Sequence, residues 1–290
     1  MIWQIINILF PVFSIVAVGY LYARRHAPDM AAANTLNIDV FVPALVFSVL
    51  TGKSFDLTQY QALTLGGIAV ILGPALVAWA VARMFGYAFK TFAPPMMFNN
   101  SGNMGLPLML LAFGEQMLPA AVVLFIIENT LHFTVGVKIL DPRASLRGLF
   151  RIPIFIATLA GLTLSLLQIH LPVVIATPIE MLGQICIPLM LFALGVRLIH
   201  IDWADWKIGL VGAVTAPLSG LIFALPAIAL LDLPRIQAAM LLVFAALPPA
   251  VLNYMMAERY GQQPRQVASI VMLGNLASVV VMPVVLALVL

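Results

Sequence analysis

Residues 93–107 read Ala-Pro-Pro-Met-Met-Phe-Asn-Asn-Ser-Gly-Asn-Met-Gly-Leu-Pro, in the middle of a long apolar stretch. Glycine and proline weaken the hydrogen-bond ladder of a helix, and asparagine and serine side chains offer its backbone other partners. The pattern therefore predicts a helix that unwinds near Asn100–Gly105. Lipid cannot satisfy free backbone groups, so such a break must be buried in protein or line a wet cavity.

The composition of the whole chain predicts a membrane protein. Hydrophobic residues make up 63% and charged residues 9% of the 290 residues, and the mean hydropathy is +1.10. A soluble domain carries about 25% charged residues, so the charged side chains here are too few to cover a water-facing surface. Nucleic acid is not an expected partner, because the net charge is only +3 and the basic residues lie in short loops. The single cysteine, Cys186, excludes an intramolecular disulfide.

Polar residues divide the chain into ten apolar segments, each close to the roughly 20 residues that a helix needs to cross the hydrocarbon. We therefore expect an all-α polytopic membrane protein with ten transmembrane helices and no soluble domain. The predicted spans are 3–23, 31–51, 60–82, 91–113, 117–137, 150–170, 174–197, 206–230, 235–257 and 265–289.

The distribution of Lys and Arg predicts the orientation of these spans. Cytoplasmic loops of membrane proteins carry an excess of basic residues. Only Lys53 and Arg235 lie in the even-numbered loops. The odd-numbered loops are therefore predicted to be cytoplasmic, with both termini on the outer side. Those loops and the adjoining helix ends hold Arg24, Arg25, Arg83, Lys90, Lys138, Arg143, Arg147, Arg151, Arg197, Lys207, Arg259 and Arg265.

The two halves of the chain share short matches at an offset near 145 residues. Five spans per half is an odd number, so the second half would enter the membrane from the opposite face, as in many secondary transporters. We expect a first repeat over 1–140, a cytoplasmic connector over 141–149 and a second repeat over 150–290. Chance matching of proline-rich helices is the alternative. The matches are Pro43 with Pro188, Phe55-Asp56 with Ile201-Asp202, Pro74 with Pro217, and Phe113-Gly114 with Tyr260-Gly261.

Span nine is the repeat partner of span four, and its Pro248-Pro249 pair removes two amide donors in mid-span. Two interrupted helices at matching places should cross near the bilayer midplane. The amino termini of half-helices there offer free amides and partial positive charge to an anion. Packing kinks with no ligand are the alternative. The predicted substrate-binding residues are Asn99, Asn100, Ser101, Gly102, Asn103, Pro248, Pro249 and Asn253.

Four other polar residues within the spans are candidates for coupling or gating. Glu128 lies midway along span five, His132 follows one turn later on the same face, and Asn275 is the repeat match of Glu128. A carboxyl group at that depth either takes up and releases a proton during transport or ties span five to the crossing helices. Asp39, four residues before Pro43, either helps gating or only lies at a helix bend.

The stretch Asn100–Leu108 with Phe113-Gly114, and Pro248–Ala250 with Tyr260-Gly261, resemble the two signatures of the auxin efflux carrier family. The resemblance implies a five-plus-five inverted repeat with crossing fourth and ninth helices, and a homodimer. It also implies a scaffold of spans 1, 2, 6 and 7 and a moving part of spans 3–5 and 8–10. Bacterial members, in the inner membrane, are implied to carry small organic acids such as malonate or malate. The long central loop of the plant members is reduced here to about a dozen residues, so auxin itself is not implied.

Together these features predict a secondary active transporter of a small organic anion, working by rocking or elevator-type alternating access. The predicted partners are that anion and the lipid bilayer. No cofactor is expected beyond a coupling H⁺ or Na⁺, because the chain has no phosphate-binding Gly-x-x-x-x-Gly-Lys-Ser/Thr loop. No Arg or Lys lies in mid-span, which favours a monoanion, or a dianion carried with cations.

Two other classes of function, an ion exchanger or channel and an enzyme, are alternatives to a transporter of organic anions. A sodium/proton exchanger or channel on the same helix layout is the alternative that stays open. An enzyme is not expected, because the sequence has no His-Glu-x-x-His and no Gly-x-Ser-x-Gly motif.

Overall fold

The computed structural model describes residues 2–52, 55–198 and 205–290. Lys53 and the repeat match at Ile201-Asp202 lie outside these ranges. Within them every regular element is helical, and the one β-type contact is a bridge between Asn99 and Pro249. The predicted all-α fold class is therefore confirmed.

The described residues form twelve helices when consecutive helical segments are counted as one, besides the short 3₁₀ helix Leu146–Arg151. They are α1 (Ile2–His26), α2 (Ala31–Leu50), α3 (Thr58–Phe85), α4 (Phe89–Met97), α5 (Ser101–Phe113), α6 (Glu115–Leu140), α7 (Pro153–Leu166), α8 (Val173–Arg197), α9 (Trp206–Leu231), α10 (Arg235–Ala245), α11 (Leu252–Arg259) and α12 (Pro264–Val289).

Seven helices of the described chain are long and apolar enough to cross a membrane: α1, α2, α3, α6, α8, α9 and α12. They coincide, within a few residues, with predicted spans 1, 2, 3, 5, 7, 8 and 10. Predicted span six holds the 14-residue α7, because the 3₁₀ helix Leu146–Arg151 occupies the predicted start of the span. Large apolar side chains such as Trp3, Phe10 and Leu76 are exposed on the outer surface. The chain is a multi-pass membrane protein.

Predicted spans four and nine each contain two short helices. In span four, α4 ends at Met97 and α5 begins at Ser101, so the break starts earlier than predicted. Residues Ser101–Gly105, expected to unwind, instead form a π-helical turn in which the Asn100 carbonyl accepts from two amides. The wider turn accommodates the polar and glycine residues without losing all backbone bonds. In span nine, Pro248-Pro249 lies between α10 and α11.

The helices pack most closely within two groups. Group A consists of α1, α2, α7 and α8, and group B contains α3, α4, α6 and α9 to α12. Glycine permits the closest approaches: a Cβ at Gly195 of α8 would overlap with the Val16 carbonyl of α1, and one at Gly220 of α9 with the Ala245 carbonyl of α10. Small residues at such contacts are typical of membrane helix bundles.

The half-helices α5 and α11 are each followed by a glycine with a positive φ angle. Gly114 has φ +85° and Gly261 has φ +63°, a left-handed region that glycine enters at little steric cost. These glycines belong to the matched dipeptides Phe113-Gly114 and Tyr260-Gly261. The two matched dipeptides therefore have the same local role, which is to end a half-helix.

Candidate functional site

The segments between the half-helices pair with each other as a short antiparallel bridge. The Asn100 amide donates to the Pro248 carbonyl at 2.7 Å, and the Ala250 amide donates to the Phe98 carbonyl at 3.0 Å. Pro249 faces Asn99 at the position between these two bonds, where antiparallel pairing requires no N–H. The two breaks thus satisfy each other's backbone groups, as burial away from water requires.

Two predicted site residues donate to carbonyls at the ends of α4 and α10, which also accept from the backbone amides of Ala250 and Leu247. Asn99 Nδ2 donates to the Phe244 carbonyl at 2.7 Å, and Asn253 Nδ2 donates to the Phe98 carbonyl at 2.8 Å. The last carbonyls of a helix have no partner within it, so an asparagine from the opposite half caps each end. These amide donors are therefore occupied by the protein itself, in contrast to the expectation that they bind substrate. Their buried Oδ1 atoms have no donor among the described residues.

Asn275 of α12 contacts both break segments. Its Nδ2 donates to the Pro249 carbonyl at 3.1 Å and to the Val271 carbonyl at 2.7 Å, and its Oδ1 accepts from Asn100 Nδ2 at 3.0 Å. The neighbouring Gly274 allows this approach, since a Cβ there would lie 2.6 Å from Pro249 Cδ. Asn275 therefore supports the crossing directly.

Ser101, Glu128 and His132 form a buried chain of hydrogen bonds at the start of α5. Ser101 Oγ donates to Glu128 Oε2 at 3.1 Å, and His132 Nδ1 lies 3.1 Å from Glu128 Oε1. The His132 ring stacks on Phe98 with 4.3 Å between centroids. Its buried Nε2 has no partner in the described part of the chain. The two residues predicted to share one face of span five are thus connected to the break itself.

A cavity of about 160 Å³ lies beside these groups, between group A and group B. Group A contributes residues of α2, α7 and α8, and α5, α6 and α11 line the other side. Pockets for drug-sized ligands measure about 300–1,000 Å³, so this cavity suits a smaller molecule. The predicted site residues that line it are Asn99, Asn100, Ser101, Gly102, Asn103, Glu128 and His132.

Five predicted residues do not line this cavity. Pro248, Pro249 and Asn253 lie in or beside the break of the second half, where their contacts hold the crossing together. Asn275 lines a second cavity. Asp39 is an exposed residue of α2, and the structure does not bring it to the buried hydrogen-bonded chain.

Three π-helical turns border the cavity: Asn37–Phe41 in α2, Ser101–Gly105 in α5 and His132–Gly136 in α6. In α2 the turn lies directly before Pro43, whose missing N–H removes a normal helical bond. Such turns occur frequently at functional sites. Their position around one cavity is a signal that sequence patterns did not reveal.

The start of α5 supplies free hydrogen-bond donors to the cavity. The amides of Ser101, Gly102 and Asn103 bond to no acceptor among the described residues. The first amides of any helix lack intrahelical partners and carry the partial positive charge of its amino terminus. The Asn103 side chain, which also lines the cavity, bonds to no described residue either.

Among the cavity residues that sequence reasoning missed is Arg197, at the end of α8. From the sequence, it was only one of the basic residues that predict which loops are cytoplasmic. In the structure it lines both the first cavity and a second one of about 490 Å³, together with Val251, which directly precedes α11, and Met255 of α11. The available signal was its place as the last residue of predicted span seven, inside the apolar segment.

Two comparisons with known proteins place the chain among membrane transporters. A family model described as "Membrane transport protein" matches residues 143–286. A curated relative from Rhizobium meliloti (strain 1021), named "Putative malonate transporter", is 27% identical over 304 aligned residues, which cover 95% of this chain and 93% of the relative. These matches confirm the predicted resemblance, and they name transporters rather than enzymes. The second half of the chain therefore matches the membrane transport protein family, and nearly the whole chain is similar to a transporter of that kind.

Proposed function

We propose that the protein is a secondary active transporter of a small organic anion, which binds in the first cavity at the start of α5. The observation that carries the proposal is the set of free amides at Ser101, Gly102 and Asn103 on the wall of that cavity. A carboxylate there would accept these hydrogen bonds and be stabilised by the partial positive charge of the helix. The printed name of the Rhizobium relative, a malonate transporter, supports a carboxylate.

We propose that the chain crosses the membrane ten times, as a five-plus-five inverted repeat. This arrangement explains why the half-helices of the two halves contact each other. In this arrangement α4 with α5 forms the fourth crossing, α10 with α11 the ninth, and α7 the sixth. Three reciprocal features support the repeat: the antiparallel bridge, the asparagine caps supplied by opposite halves, and the left-handed glycines after α5 and α11. An inverted repeat with broken helices at its centre is typical of secondary transporters.

Alternating access would come from movement of group B against group A, the proposed scaffold. The cavity lies between them, so a relative shift would close it on one side and open it on the other. Asn34, Ile152 and Arg197 line it close to helix ends that face odd loops. The cavity is therefore nearest the side assigned to the cytoplasm, with both termini outside the inner membrane. Pairing of two copies through the scaffold is part of the same proposal.

Proton coupling would use the buried chain of Glu128 and His132. When Glu128 is ionised and the imidazole neutral, Nδ1–H donates to Oε1 and Nε2 carries no proton. A proton taken up at Nε2 turns that atom into a donor on a residue that lines the cavity. Anion and proton would then bind together. The Ser101 hydroxyl donates to Glu128, and Arg197 is the other ionisable group that lines the cavity among the described residues.

Uptake of labelled malonate into proteoliposomes, with imposed pH or sodium gradients, tests the proposal. We expect accumulation driven by a proton gradient, and its loss in Asn103→Ala. The matched control is Gln116→Ala, whose side chain bonds to the Phe113 carbonyl and does not line the cavity. Exchange of Na⁺ for H⁺ without uptake of any organic acid would replace this function with the exchanger.

A further inference from the structure

We propose that Arg197 binds the second carboxylate of the substrate, so that the protein selects short dicarboxylates in their doubly charged form. This inference rests on the proposed function and names its substrate class. It corrects the expectation that a dianion would lack a fixed countercharge, because the missing cation comes from a helix end and not from mid-span.

The position of Arg197 is unusual for a residue that only anchors a helix to the cytoplasmic surface. It is half-buried and lines both cavities. It makes no hydrogen bond or ion pair with any described residue. A partly buried guanidinium without an acceptor is costly. A carboxylate ligand in the cavity would supply the acceptor that the described residues do not.

The charges around the two cavities favour an anionic ligand. Among the described residues, Glu128 is the one acidic residue that lines the first cavity, and its oxygens already bond to Ser101 and His132. Within the described ranges, no acidic residue lines the second cavity, to which Arg197 and Arg265 both belong. A ligand that approaches through these cavities therefore meets positive charge first, which attracts anions and raises their local concentration.

Two separate anion-binding groups on one small cavity define a two-point site. The start of α5 offers amides to one carboxylate, and Arg197 offers the planar fork that matches a carboxylate with two parallel hydrogen bonds. A monocarboxylate of similar size would fill only one of these positions and leave the guanidinium unpaired. Selectivity for a dicarboxylate follows from that difference.

Binding and uptake by Arg197 variants test this inference. We would measure malonate and propionate affinities by titration calorimetry in detergent, and labelled malonate uptake in proteoliposomes. Arg197→Gln should weaken malonate binding by about tenfold or more, as loss of a charged hydrogen bond implies, and leave propionate binding nearly unchanged. Arg197→Lys, which keeps the charge but not the fork, should lie between. Arg83→Gln is the matched control, because Arg83 also lies in the last turn of a helix on the same predicted side, stacks over Trp79 at 5.7 Å and lines neither cavity.

Each other outcome has a defined meaning. Equal loss of affinity for both acids in Arg197→Gln, or unchanged malonate binding, overturns the role of Arg197. A wild-type protein that binds and transports monocarboxylates but not malonate also overturns it, while the proposed function stands. A wild-type protein that moves no carboxylate overturns both. Should Arg197→Gln fail to fold, the malonate-to-propionate preference of Arg197→Lys decides, and an unchanged preference refutes the inference.

Discussion

Replacement of Asn275 by alanine should weaken the crossing of the two break segments more than any loss of volume would explain. The side chain makes three buried hydrogen bonds, to Asn100, Pro249 and Val271. The Val271 carbonyl keeps its ordinary helical bond from the backbone amide of residue 275. The Asn100 amide group and the Pro249 carbonyl, however, would stay buried without these partners.

The magnitude follows from these two orphaned groups. A buried polar group left unpaired costs about 1–3 kcal/mol, so two of them give about 2–6 kcal/mol. Polar contacts between membrane helices average only about 0.6 kcal/mol and reach about 1.7 kcal/mol, because the unfolded chain in the membrane also finds partners. We therefore expect the free energy of unfolding to fall by about 2 kcal/mol, the low end of the first range.

Asn129→Ala is the matched control for this prediction. Its Nδ2 donates to the Phe125 carbonyl four residues earlier in the same helix, at 2.9 Å, so its loss breaks no hydrogen bond between helices. We expect a change within about 0.5 kcal/mol. Unfolding in mixed micelles with increasing dodecyl sulfate, followed by tryptophan fluorescence, measures both variants. Equal destabilisation by the two substitutions would refute the view that Asn275 holds the crossing together.

Three further predictions concern the crossing, the coupling and a loop. Gly274→Val should lower the free energy of unfolding by about 1–3 kcal/mol, because the added side chain overpacks against the break, and it should reduce malonate uptake. Gly148→Val is the control: Gly148 has open space around it, so this variant should match the wild type in stability and in uptake. His132→Gln should abolish the dependence of malonate uptake on a pH gradient, and a retained dependence would reduce the histidine to a structural role. Hydrogen bonds from Thr58 lower the pKa of Asp56 from its ordinary value of 3.8. Ionised Asp56 therefore stabilises the folded protein fully above pH 3.8, and this contribution is lost as the pH falls through the folded-state pKa. Over that acidic range, the free energy of unfolding of Asp56→Asn should fall less than that of the wild type.

The sequence identified where the helices are weak but not how the weak segments are used. The prolines, glycines and asparagines in 93–107 and the pair Pro248-Pro249 weaken a helix locally, so they can be recognised from the sequence alone. The pairing of 98–100 with 248–250 depends on contact between residues about 150 positions apart, which composition does not encode. The long apolar helices were predictable to within a few residues because their length is set by the hydrocarbon thickness.

Side-chain roles at the site were harder to predict for the same physical reason. An asparagine beside a break serves equally well as a ligand for substrate or as a cap for a free carbonyl, and only the distances distinguish the two. Asn99 and Asn253 are caps, whereas the Asn103 side chain is free. Arg197 is the opposite case. Its position at a helix end predicts a surface residue that anchors the helix, but in the structure it lines both cavities.

A structure determined by electron cryo-microscopy in lipid nanodiscs, with malonate present, tests the central claim most directly. The account predicts ligand density within hydrogen-bonding distance of the amides at Ser101, Gly102 and Asn103, between helices interrupted at 98–100 and 246–251. Continuous helices through either region, breaks that face lipid, or malonate bound away from the start of α5 would contradict it.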